Sequence, residues 1–170
     1  MALSLNATES CKHLSVIINY TVQTTTNFTL VFLNADGNNV SGTVTPNFSI
    51  SPGDGPINYP VPVTNLDISN GIITVVFKTS VGVEVDRKTV LLHCDIDCCL
   101  TKLTNECDCA KCASSLAKAQ KVFLLVKSAD YAVSQANDAP AGRRPGYIED
   151  ANSKYLKAKE ICDESCGCDC

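Results

Sequence analysis

Ten of the chain's eleven cysteines fall between positions 94 and 170, in three clusters. Cys94, Cys98 and Cys99 form the first, Cys107, Cys109 and Cys112 the second, and Cys162, Cys166, Cys168 and Cys170 the last. Thiols one residue apart, as in Cys107/Cys109 and Cys168/Cys170, rarely bond each other but readily share an ion. Zinc takes four thiolate or imidazole ligands in a tetrahedron, and a structural site is closed, with no open position. We therefore expect structural zinc as the cofactor, with Cys94, Cys98, Cys107, Cys109, Cys112, Cys162, Cys166, Cys168 and Cys170 as candidate ligands, enough for two sites. The second cluster opens a helical pattern, where the helix macrodipole favours thiolates. Cys99 shares an apolar face with Ile96 and Leu103 and reads as core, while His93 reads as an exposed strand-end residue. Disulfides formed after release into an oxidising medium are the alternative use of the same thiols.

The elements that must position these thiols differ sharply between the two halves. Residues 1–93 hold one cysteine and ten charged side chains and are rich in Asn, Thr, Val and Ile; residues 94–170 hold twenty-two charged side chains and are rich in Ala, Lys and Leu. The first composition suits strands and the second helices. We expect an α+β chain: a β-sandwich domain over 1–93, then a small helical domain over 94–170. A helical unit below ~80 residues buries a limited core and needs a staple, a role the cysteines fill.

Along the first half, Val16, Ile18, Tyr20 and Val22 alternate with polar residues, as do Phe28, Leu30 and Phe32. Ala35-Asp36-Gly37-Asn38 and Ser51–Pro56 are turns, and Val44, Phe48 and Ile50 mark short runs broken by Pro46. Ile57, Tyr59, Val61 and Val63 alternate with two prolines, which makes that stretch an edge strand or an extended linker. Ile72–Thr79 and Val83–Leu92 flank a turn at Val81-Gly82. Six or seven such strands without helical period predict an antiparallel sandwich of immunoglobulin-like size. Cys11 reads as an idle thiol.

In the second half the period changes. Ile96, Cys99, Leu100 and Leu103 predict a short helix, and a long one runs from about Ala110 to Asn137. Val122, Leu125, Val126, Ala129, Ala132 and Val133 form its inward face, which Leu116 and Phe123 are expected to widen. After Pro140 and Pro145-Gly146 a third helix carries Ile148, Ala151, Tyr155, Ala158 and Cys162 on one stripe. The residues from Cys162 to Cys170 are enough to bring the terminal thiols back to Cys107, Cys109 and Cys112.

Net charge is -4, with no basic stripe, which argues against a nucleic-acid partner. No run reaches the ~18 apolar residues of a membrane span, and MALSLNATES has neither a basic n-region nor a long apolar core, so no signal peptide is expected. The five N-x-S/T sequons at Asn6, Asn19, Asn27, Asn39 and Asn47 read as chance in an Asn/Thr-rich domain. His13 and His93 are the only histidines, neither in a nucleophile–base motif, and no Gly-rich phosphate loop is present. We expect no catalytic role and no small-molecule substrate.

The run from His93 to Leu100 (HCDIDCCL), followed by CDCAKC and by KAQKVFLLVKSADYA at Lys118–Ala132, resembles the C-terminal module of uncharacterised tailed-bacteriophage structural proteins. The resemblance covers residues 90–170. It implies a virion component of the neck, tail or baseplate region, assembled in the host cytoplasm. Its partners would be other virion proteins and copies of itself. The helical module would anchor and the sandwich would pack or project. The alternative is a cytoplasmic zinc-binding adaptor that recruits a protein through its long helix; a secreted disulfide-rich binding domain would need an export route.

Overall fold

The computed structural model describes residues 3–7, 13–42, 47–66, 71–92, 94–105 and 112–165. The chain divides into two compact units, Met1–Leu92 and His93–Cys170. Among the described residues all strands belong to the first and all α-helices to the second, so the fold class is α+β with an N-terminal sandwich and a C-terminal helical unit.

The strands are β1 (Leu3–Ala7), β2 (His13–Ile18), β3 (Thr26–Leu33), β4 (Asn47–Ile50), β5 (Ile57–Pro62), β6 (Ile72–Thr79) and β7 (Glu84–Leu91). They form two antiparallel sheets, ordered β1-β2-β5 and β4-β3-β6-β7. This is the connectivity of an immunoglobulin-like sandwich whose fourth strand pairs with the third. Pro60 and Pro62 cannot donate to a ladder, and among the described residues β5 is a strand at the edge of its sheet, paired with β2. β1 was not anticipated from the sequence pattern. It pairs antiparallel with β2, and the Leu3 amide donates to Asp86 Oδ2 at 3.0 Å, tying β1 to β7 across the two sheets. β2 ends at Ile18, so the alternation read through Tyr20 and Val22 continues beyond the strand.

Alternate residues of both sheets meet in one core: Leu3, Leu14, Val16, Ile18 and Val61 from one, Phe28, Leu30, Phe32, Ile50, Ile73, Val75 and Phe77 from the other. One end of it is aromatic. The Phe28 and Phe77 rings lie 4.7 Å apart, Phe48 stacks on both, and Tyr20 meets each edge-on at 5.6 Å. Such pairs add roughly 0.5–1.5 kcal/mol beyond area burial. β6 is buried on both faces, and on the side away from the core the Thr74 hydroxyl shares a 2.9 Å hydrogen bond with that of Thr89. A buried hydroxyl without such a partner is costly.

One glycine is held by packing as well as by conformation. Gly42 sits at φ +55°, and a Cβ there would collide with the Asn65 backbone carbonyl. Gly37 has φ +80° but open space around it. Gly42→Ala is therefore expected to cost about 2–3 kcal/mol and Gly37→Ala about 1 kcal/mol, a difference that urea unfolding resolves. Equal losses would show that the Asn65 contact does not constrain the loop.

The helical unit consists of α1 (Cys94–Asn105), α2 (Cys112–Asp138) and α3 (Arg144–Ser165). The turn between α2 and α3 is closed by the Arg143 amide and the Arg144 guanidinium, which donate to the carbonyls of Pro140 and Ala139 at 2.9 Å. α2 and α3 pack along their length, and α1 lies against both.

Candidate functional site

Each cysteine's position follows from the helix that carries it. On α1, Cys99 lies on one face with Ile96 and Leu103, and all three are buried. On α3, Cys162 continues the stripe of Ala151, Tyr155 and Ala158, again all buried. The two stripes converge at Cys99 and Cys162, which are joined in a disulfide with a Cα–Cα distance of 5.8 Å, within the range such bonds require. The link closes a separation of 63 residues and pins α1 to the end of α3.

This changes the reading of the thiols. Cys99 is buried, as its apolar face requires, but it is also half of a covalent staple. Cys162, expected as a zinc ligand, is the other half. Cys98, also expected as a ligand, is disulfide-bonded as well. A sulfur bonded to sulfur has no thiolate to give a metal, so Cys98 and Cys162 do not fit a zinc shell. Cys94 and Cys112 are the first residues of α1 and α2, and their side chains lie outside the described ones. Cys107, Cys109, Cys166, Cys168 and Cys170 lie outside the described residues, as do His93 and Cys11. Among the described residues no group of three or more His, Cys, Asp or Glu side chains is arranged to hold an ion.

The second feature lies on α2, which has two apolar faces. The inward one is built of small and branched residues: Ala119, Val122, Val126, Ala129, Ala132, Val133 and Ala136. Small side chains let the helices approach closely, and they leave no room for large ones. The large residues point the other way. Leu116 is 49% exposed, Phe123 50%, Leu124 67% and Tyr131 67%. Leu116 and Phe123, expected to widen the buried face, instead stand half-exposed at its edge, between Ala119 on the inward side and the more exposed Leu124 and Tyr131. Seven-residue spacing relates Leu116 to Phe123 and Leu124 to Tyr131, which stacks them along one side of the helix. The Lys127 ammonium sits 5.7 Å from the centre of the Phe123 ring, attracted by its negative face. A contiguous exposed patch of this kind marks an interaction surface more often than scattered apolar residues do. Leu124 and Tyr131 were the legible signal, since they share that side by period alone.

Among the described residues, a depression of about 490 Å³ lies at the β3–β4 edge beside Asn27, Phe48 and Ser80. Its polar side chains are occupied across the strands: Ser49 Oγ donates to Asn27 Oδ1 at 2.6 Å, and Thr29 Oγ1 to Asn47 Oδ1 at 2.7 Å. No acid, base or nucleophile pair lines it. No helix is long and apolar enough to cross a membrane among the described residues. Neither the protein-family profiles nor the curated proteins compared with the chain gave a match.

Proposed function

We propose that this chain is a non-catalytic structural subunit of a tailed-phage virion, placed in the neck, tail or baseplate region. The observation that carries the reading is the outward face of α2, with Leu116, Phe123, Leu124 and Tyr131 presented to solvent on a covalently stapled unit. A rigid helix with large apolar residues outside is built to be covered by protein. The resemblance of residues 90–170 to tailed-phage structural modules supports the virion as the setting. Assembly would take place in the host cytoplasm, with the staple closing once the particle meets an oxidising medium. The helical unit would anchor the subunit, and the sandwich would pack or project.

The test is incorporation. Phe123→Glu combined with Leu124→Glu changes two exposed side chains and is expected to shift stability by no more than about 0.5 kcal/mol each. The same variant should be lost from purified particles in quantitative immunoblots, while immunogold with an antibody to the sandwich labels wild-type particles at one fixed position. Wild-type levels of the variant in particles would remove the face from the account. A wild-type chain confined to the soluble fraction would remove the virion and favour an adaptor working through the same helix.

A further inference from the structure

Resting on the structural-subunit reading, the contact between copies can be specified. α3 also has an outward stripe, opposite Ala151, Tyr155, Ala158 and Cys162. It runs through Glu149, Ser153, Leu156, Glu160 and Glu164, all exposed. The stripe on α2 runs through Leu116, Gln120, Phe123, Lys127 and Tyr131, also exposed, with Lys121 beside it. Each spans fifteen residue steps, about 22 Å of helix. Their characters are complementary. The exposed charges of α2 between Leu116 and Ser134 are Lys121 and Lys127, and no carboxylate there is exposed. The outward side of α3 carries Glu149, Glu160, Asp163 and Glu164 around an exposed Leu156, with Lys157 the exposed base at its margin.

We propose that copies of this chain associate head to tail through their helical units, the Leu116–Tyr131 face of α2 in one copy seated on the Glu149–Glu164 face of α3 in the next. Phe123 then covers Leu156, with Lys121 and Lys127 in reach of Glu160 and Glu149. A symmetric pairing would set lysine against lysine or glutamate against glutamate, which costs energy where the mixed pairing gains it. The two stripes lie on opposite sides of the α2–α3 pair, so each copy makes two contacts. Such heterologous contacts close into a ring or continue as a filament. One helix-on-helix contact of this length is small beside the roughly 1,200–2,000 Å² of a stable dimer. Repetition around a ring makes up the difference, and salt weakens it.

Charge exchange tests this on the full oxidised chain. Sedimentation velocity of the wild type should show association that rises with concentration and falls with added salt. Lys121→Glu/Lys127→Glu and, separately, Glu149→Lys/Glu160→Lys should each weaken association by roughly tenfold or more, with far-UV dichroism unchanged. An equimolar mixture of the two variants places an acidic α2 against a basic α3 and a basic α2 against an acidic α3, and should recover association. A wild type that stays monomeric at submillimolar concentration overturns the proposal, as does a mixture that associates no better than either variant alone. Particles that carry a chain shown to be monomeric would sink this contact and leave the subunit reading to other virion proteins. Self-association of a chain missing from particles would sink the virion and keep the contact.

Discussion

Removing the Cys99–Cys162 bond by the double substitution Cys99→Ala/Cys162→Ala is expected to lower the stability of the helical unit by about 4 kcal/mol. The bond closes a 63-residue separation that includes all of α2 and most of α3. In the chain-entropy account a loop of this length restricts the unfolded ensemble by about 4 kcal/mol at room temperature. Both sulfurs are buried, so the loss of their packing adds to the effect. The unit has little to spare, because small helical domains stabilised by one limited core net only ~3–5 kcal/mol. Guanidinium unfolding followed at the helical dichroism band measures the change. The double variant is the proper comparison, since reductant also opens the disulfide at Cys98. A loss under about 1 kcal/mol would mean that the α1–α3 contact is held by packing alone and that the staple is incidental.

Phe77→Ala should cost the sandwich about as much, roughly 3–5 kcal/mol. Phe77 is fully buried in β6, faces Phe28 at 4.7 Å, stacks with Phe48 and receives the edge of Tyr20. Truncation removes the ring's transfer energy, leaves a cavity, and ends three aromatic contacts. Loosening is cushioned little here, because Phe28 and Phe48 are held by the β3 and β4 ladders. Phe77→Leu keeps most of the volume and is expected to cost only about 1–1.5 kcal/mol. The near-ultraviolet signal of Tyr20, which packs on this ring, reports the transition. Similar losses for Leu and Ala would show that ring geometry rather than volume holds the site.

These effects sit at different distances from what residue order displays. The sandwich was largely legible because strand burial has a period of two, and Phe28, Leu30 and Phe32 fall on it directly. Pro60 and Pro62, lacking amide hydrogens, limited β5 to an edge strand or a linker, and pairing with β2 decided for the strand. β1 escaped notice because it is five residues long, LSLNA, with no turn signal strong enough to separate it. It is a strand because β2 offers it a ladder, which is a tertiary fact. The helices were legible in number and order, for the apolar period of 3.6 survives in each.

The site was legible only in part. Period alone places Leu124 and Tyr131 on one side of α2 and Val122, Val126 and Ala129 on the other, but it does not say which side meets α3. Close packing decides that. An alanine-rich face admits a neighbouring helix at short range, whereas Phe123 or Tyr131 there would hold the helices apart. Cysteine clustering pointed correctly to a stapled helical unit. It did not reveal that Cys162 would bond Cys99, because that depends on two apolar stripes sixty-three positions apart meeting in register. By itself, then, the sequence determined an N-terminal β unit, a C-terminal helical unit and the need for a staple, since composition, period and turn chemistry act over a few residues. The tertiary structure decided the sulfur partners and the outward face of α2, since both depend on which surfaces are brought together and which are left to water.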